Sequence, residues 1–175
     1  MFPKTFSSTR LLLRPVKAED AEAVFNGYAQ DSEVTRFLTW RPHASIEETH
    51  SFIQSSLIAE QSCTYAVLLK AKYEVVGVLD LRAPTDTRFE LGYALGRQFW
   101  GIGLMTEALI EVVEWALRQP NIWRIGAVAD VENVGSIRSM EKAGLKQEGI
   151  LRRWLTHPNI GPDPRDCVSL AAVRN

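Results

Sequence analysis

The chain has 175 residues, 46% of them hydrophobic and 23% charged, the profile of a globular chain long enough to bury a substantial core, and it reads as one domain over residues 1–175. Its 20 Lys and Arg against 21 Asp and Glu leave a net charge of -1, so no overall field recruits nucleic acid or an anionic membrane. No stretch approaches the roughly 20 apolar residues of a membrane span, and Cys63 and Cys167 are too far apart in sequence to suggest a disulfide framework or a metal site.

The opening MFPKTFSSTRLLL carries a short apolar run broken by Arg10 and Arg14, with no small-residue cleavage site after it. That does not fit a signal peptide and makes a cytoplasmic location the expectation. Arg10 to Val16 reads as a first strand, with Pro15 favouring an extended chain before it. Between Glu19 and Gln30, Ala21, Val24, Phe25 and Tyr28 recur at helical spacing, with Glu19 and Asp20 in the first turn, where the helix dipole favours acids. The stretch DSEVTRFLTWRPHAS has no clean period and reads as a loop carrying Phe37 and Trp40. Ser45-Ile46-Glu47-Glu48 is an S-x-x-E capping box, and a helix from it to about Ala59 places Ile46, Ile53 and Leu57 on one side.

Thr64 to Lys70, Val75 to Arg82 and Arg88 to Leu95 are β-rich runs between short polar turns, an antiparallel meander. In the third run, period two sets Glu90, Gly92 and Ala94 on one face and Phe89, Leu91, Tyr93 and Leu95 on the other. A polar turn with Gly101 and Gly103 then leads into a helix on which Glu107, Glu111, Glu114 and Arg118 mark one solvent face. A strand that feeds such a turn into a helix leaves backbone N–H groups without carbonyl partners at the positive end of the helix dipole. That arrangement binds an anion, most often phosphate, and the glycines let the ligand approach the amides closely. Turn glycines serving geometry alone would show the same pattern. The dinucleotide fingerprint needs a third glycine where Thr106 stands, and the Walker loop needs G-K-[ST], so neither fits.

Trp123 to Asp130 is a further strand. Asn133 to Gly144 is a short helix with Asn133 as its N-cap and Gly144 just past its end. Lys146 to Leu155 and Asp166 to Val173 close the chain as strands around HPNIGPDPR, whose prolines resist regular structure.

The ordered set Glu90-Leu91-Gly92-Tyr93, Gln98-x-x-Gly101-x-Gly103, Met105-Thr106-Glu107-Ala108, Asn133-x-x-Ser136 running to Gly144-Leu145, and Glu148-Gly149-x-x-Arg152 resembles the GNAT N-acetyltransferase superfamily over nearly the whole chain. The branch it resembles is the Rim type, which includes acetyltransferases of ribosomal-protein N-termini. The resemblance implies a mixed α/β (α+β) fold, a single domain with a mostly antiparallel central sheet flanked by helices and an acyl-CoA loop between strand 4 and the central helix. It also implies acetyl-CoA as the donor, no metal, an amine acceptor, and a homodimer left open.

For the acetyl-CoA site the resemblance implies Leu95 as a cofactor contact and the amides of Gln98, Phe99, Trp100, Gly101, Ile102, Gly103, Leu104 and Met105 around the diphosphate. Asn133 and Ser136 would lie beside the pantetheine arm, although Asn133 also serves as a plain N-cap and Ser136 as a helix-surface hydroxyl. One departure bears on the chemistry. Many members of the superfamily carry a tyrosine proton donor four residues before the glycine that closes the short helix, and here that place holds Met140, which cannot donate a proton.

Acyl transfer from a thioester to an amine needs a neutral amine, a polarised carbonyl and a site that holds both. Glu90, with the small Gly92 and Ala94 beside it, is the candidate general base through a water, and a salt bridge to Arg88 or Arg82 is the plainer role for it. Phe37, Trp40 and Trp154 are candidates for the acceptor channel, with core packing or loop anchoring as the alternative for each. Of Arg152 and Arg153 at most one can face the cleft, because adjacent strand residues point oppositely. No local pattern joins His43, His50 and His157 to either cysteine, so a cysteine acyl-enzyme and a metal site are both disfavoured. Three readings follow: an N-acetyltransferase acting on a protein or peptide α-amine, one acting on a small amine, and a non-catalytic acyl-CoA sensor.

Overall fold

The computed structural model describes residues 2–174. Strands β1 (Phe6–Ser7), β2 (Leu11–Pro15), β3 (Ser62–Leu69), β4 (Glu74–Thr85), β5 (Arg88–Leu95), β6 (Arg124–Asp130), β7 (Lys146–Thr156) and β8 (Pro164–Val173) form one sheet in the order β1-β2-β3-β4-β5-β6-β8-β7. Helices α1 (Ala21–Val24), α2 (Ser32–Thr35), α3 (Ile46–Leu57), α4 (Leu104–Arg118) and α5 (Val134–Lys142) flank it. Neighbouring strands run antiparallel except β5 and β6, whose parallel pairing requires a long crossover that α4 supplies.

Each face of the sheet owes its cover to the pleat. On one face Tyr65, Val67, Leu79, Leu81, Phe89 and Leu91 meet α4, which buries Leu104, Met105, Ala108, Leu109, Val112, Val113 and Ala116 along one stripe. On the other face Ala66, Leu68, Val78 and Ala94 pack with Val24, Tyr28 and Ile53 from the α1 and α3 region. Full burial of a large apolar side chain contributes about 1.5–3 kcal/mol, so these two layers fix where α4 begins relative to β5.

The feature that positions the site is a separation of strands. β5 and β6 pair only at Arg88 with Arg124, Phe89 with Ile125 and Glu90 with Gly126. Beyond that row, Leu91 to Leu95 has β4 on one side and, among the described residues, no strand on the other. Next to the end of β5, Gly77 pairs with Leu95 while β4 bulges, since Val67 faces Gly77 and Leu68 faces Val75. A bulge bends its strand and adds twist, and this one lies beside the end of β5 that has left β6. The close approach requires glycine, because a Cβ at Gly77 would stand 2.4 Å from the Ala94 carbonyl oxygen.

Several expectations change. A short β1 precedes the first expected strand, so the glycine turn follows the fifth strand rather than the fourth. The helix expected over Glu19 to Gln30 is broken into a tight turn, α1 and a wide turn over Phe25–Ala29, and the loop after it contains α2, capped by Asp31. Ser45 makes no side-chain cap on α3, where Glu48 instead accepts from the Ala44 N–H, and Leu57 is exposed. Glu107 does not belong to the solvent face of α4: its carboxylate is held by Ser8 and Arg10.

Candidate active site

Between the separated ends of β5 and β6 lies a cleft of about 640 Å³, walled by the β5 end, the glycine turn, the start of α4, α5 and the segment after α2. Its basis is local. Gly101 and Gly103 have φ of 76° and 80°, a left-handed conformation that L side chains resist, and the turn they make lets α4 start at Leu104. The first N–H of α4 taken up by the protein is that of Glu107, bonded to the Gly103 carbonyl, and among the described residues the N–H groups of Gly101 to Thr106 find no acceptor within the chain. Open donors at a helix start lining a cleft fit a phosphate-bearing ligand.

Across the cleft, α5 is set by its cap. Asn133 accepts from the Ser136 N–H at 3.2 Å, and Gly144, with φ of 94°, ends the helix. Tyr93 on β5 bridges to α5 through its phenol, 2.8 Å from the Ser136 hydroxyl, and burial pushes that phenol up to about 12 against the opposing Ser136 bond. Arg138 and Lys142, four residues apart on α5, both line the cleft, as do Glu33 and Arg36 from the α2 region and Glu132 before α5. Met140 is 1% exposed and faces the core, so the position where the superfamily places its tyrosine does not open on the cleft in this chain. Ser139 does, with its hydroxyl donating to the Gly135 carbonyl.

Near the end of β6, Asp130 is fully buried. Burial raises its carboxyl, but two bonds from Arg165 and one from the Glu132 N–H outweigh that and hold it below the usual range. His157 lies 3.5 Å from Asp130, 2% exposed, with Phe37 edge-on to its ring. Two residues on, Asn159 donates to the carbonyls of Thr35 and Trp40 and ties the β7–β8 loop to the wall that carries Phe37.

Of the residues singled out in the sequence, Leu95, Phe99, Trp100, Gly101, Gly103, Leu104, Met105, Asn133 and Ser136 line this one cleft, and Phe37 joins them. Gln98 and Ile102 are not in its wall. Trp40 packs on His43 in the second core layer, and Trp154 is exposed on β7 at the sheet edge. Glu90 lies outside the cleft wall, on the open sheet face in the last row where β5 and β6 still pair, 3.8 Å from Arg88. The Arg152 side chain pairs with Asp166, while Arg153, with a left-handed φ of 50°, gives its main-chain N–H to Asp166 and its guanidinium to the Pro164 carbonyl, and neither arginine lines the cleft. Tyr93, named above only as part of a strand motif, and Arg138 and Lys142 also line the cleft; the i, i+4 spacing of the last two on a capped helix is the signal that marks one face.

With Tyr93, Ser136 and the open amides on facing walls, the cleft suits a long ligand that carries phosphate at one end and an amide-rich arm beyond it. Among the described residues, no group of three or more His, Cys, Asp or Glu is placed to hold a metal ion. No described helix is long and apolar enough to cross a membrane.

Comparison with known proteins gives a consistent picture. The sequence model of the acetyltransferase (GNAT) domain matches residues 10–146. The uncharacterized N-acetyltransferase YoaA of Bacillus subtilis (strain 168) is 31% identical over 160 residues, covering 89% of this chain and 89% of that protein. The crystal structure of a GNAT-family acetyltransferase from Bacillus anthracis superposes with a TM-score of 0.86 at 25% identity, covering 97% of this chain and 98% of the other. RimL, a ribosomal L7/L12 alpha-N-protein acetyltransferase solved with coenzyme A, superposes with a TM-score of 0.84 at 22% identity over 97% of this chain and 98% of its own, a likeness of fold.

Proposed function

The chain belongs to the acetyltransferase (GNAT) family, an acetyl-CoA-dependent N-acetyltransferase by that membership, and from that premise we propose that its acceptor is the α-amine of a protein or peptide N-terminus, attacked directly without an acyl-enzyme. The observation that carries the site assignment is the row of open amides from Gly101 to Thr106 at the mouth of α4. Those donors and the helix dipole favour the diphosphate of acetyl-CoA, while Asn133, Ser136 and Tyr93 offer polar partners further along the cleft. The amine comes from the Phe37 side.

The preference for an α-amine rests on proton affinity. An α-amine has a pKa of about 7.7–8.0 and is partly neutral at physiological pH, whereas lysine near 10.4 must lose a proton at an extra cost of about 3.4 kcal/mol. The ribosomal-protein α-amine activity named for RimL supports the same choice. Neither cysteine suits an acyl-enzyme, since burial pushes up the thiols of both Cys63 and Cys167.

Glu90 takes the proton in this reading, through water on the open sheet face. A second reading has its own observation. Asp80 pairs with Gly92, two rows nearer the separated strand ends than Glu90, and burial raises its carboxyl against the opposing effects of Arg82 and Thr64. A carboxylate whose pKa is raised is a better proton acceptor than the same group at its ordinary value.

Steady-state kinetics with acetyl-CoA, a panel of N-terminal peptides and small amines test the proposal. Saturable turnover of peptides with a sequential pattern is the expected result; a double-displacement pattern, or turnover of small amines alone, overturns it. The pH profiles of Glu90→Gln and Asp80→Asn separate the two bases. The variant lacking the true base loses kcat most at low pH, where the amine is still protonated.

A further inference from the structure

We infer that Arg10 and Glu107 form a clamp that presets the acetyl-CoA loop by fixing the orientation of the peptide between Ile102 and Gly103. The inference rests on the reading above, that the amides of this turn hold the diphosphate.

Glu107 stands in the first turn of α4, directly after the open amides of Gly101 to Thr106. A bare carboxylate there would repel an anion. It is instead met by three donors: the Ser8 hydroxyl at 2.6 Å, the Arg10 N–H at 2.8 Å and Arg10 Nε at 2.7 Å. Burial raises the Glu107 carboxyl, yet the Ser8 and Arg10 bonds outweigh it, so the group is ionised at neutral pH. Two of those bonds come from Arg10: the main-chain one anchors its backbone, and the one from Nε holds its guanidinium against the turn. Nη1 then donates to the Ile102 carbonyl at 3.0 Å, and Nη2 lies 3.7 Å from where a Gly103 Cβ would stand.

The consequence follows from peptide geometry. In a trans peptide the N–H points opposite to the C=O. Gly103 lines the cleft, whereas Arg10 and Ile102 do not. Arg10 thus draws the Ile102 carbonyl to the outer side of the turn and leaves the Gly103 N–H directed inward. Gly103 needs this support because the freedom that admits its φ of 80° also makes the neighbouring peptide easy to rotate. Lysine cannot replace the device, since a single ammonium lacks the planar fork that reaches Glu107 and the Ile102 carbonyl together.

Arg10→Lys and Arg10→Gln, made in the full chain, test this. Calorimetry with CoA and steady-state kinetics are expected to show Kd for CoA and KM for acetyl-CoA raised about tenfold in both variants, with kcat and the acceptor KM within about twofold. Added guanidinium should recover part of the loss in Arg10→Gly. If Arg10→Lys binds CoA as tightly as the wild type, charge alone matters and the clamp is refuted. Should the Arg10 variants melt below the assay temperature, Glu107→Gln carries the test: it is expected to give the same rise in KM without a fall in kcat, and an unchanged KM overturns the inference. A wild-type chain that fails to bind CoA removes the acetyl-CoA reading itself, and the clamp with it.

Discussion

Asp80 and Glu90 lie on the same open face of the sheet, two carboxylates whose surroundings give them different properties. Asp80 is 28% exposed with Thr64 donating to one oxygen, while Glu90 is 45% exposed beside Arg88. Burial is the main cause of the raised Asp80 carboxyl, so the fold favours its protonated form. The sign then follows: the stability this group contributes is present below the unfolded carboxylate pKa near 3.9 and is lost as pH rises through the higher folded value. Asp80→Asn is therefore expected to raise Tm at pH 7 and to leave it unchanged at pH 3. Thermal melts at the two pH values check it, and a lower Tm at pH 7 would contradict it. If Asp80 is also the proton acceptor, the same variant is more stable and less active, the trade expected where an ionisable group is held in an unfavourable site for function.

At the scale of an element, α5 shows how one residue joins folding to binding. Its nine residues include Gly135 and three residues of modest helix propensity, Val134, Ser136 and Ile137, so it depends on its cap and on packing. Asn133 supplies the cap from inside the cleft wall. Asn133→Ala is expected to cost about 1 kcal/mol of stability, a Tm lower by roughly 3 °C, and to raise KM for acetyl-CoA as well. A Tm loss with unchanged KM would make Asn133 a cap alone. The same helix explains why Met140 is apolar: that position points into the core, and the face toward the cleft is carried by Ser136, Ser139, Arg138 and Lys142.

For the whole molecule, the cleft is closed by contacts between parts of the chain far apart in sequence. Asn159, in the loop between β7 and β8, bonds the carbonyls of Thr35 and Trp40, so a C-terminal loop holds the N-terminal segment that carries Phe37. Asn159→Ala removes the side-chain donor from both carbonyls, of which that of Thr35 keeps the Leu38 N–H, and loosens that wall. The expected outcome is an acceptor KM raised severalfold with KM for acetyl-CoA unchanged, read from steady-state kinetics with a peptide acceptor. A rise in the acetyl-CoA KM instead would place the loop on the other end of the cleft. The tryptophans follow from the same architecture: Trp40 offers Asn159 its carbonyl while its ring packs inward, and Trp154 lies on the outermost strand.

What the sequence determined by itself was whatever short-range pattern controls. The meander came from period-two runs, α4 from its apolar stripe, α5 from Asn133 and Gly144, and the open amides from a strand, two glycines and a helix in immediate succession. These follow from local backbone geometry, which neighbouring residues fix. The tertiary structure alone decided how far β5 and β6 stay paired, that Glu90 lies on the closed side of their divergence, that Glu107 turns from solvent to Arg10, and that Phe37 rather than Trp40 or Trp154 reaches the cleft. Each of those depends on partners tens of residues away, such as Arg10 to Glu107 or Thr35 to Asn159, and no local period carries information about which distant group a side chain will meet.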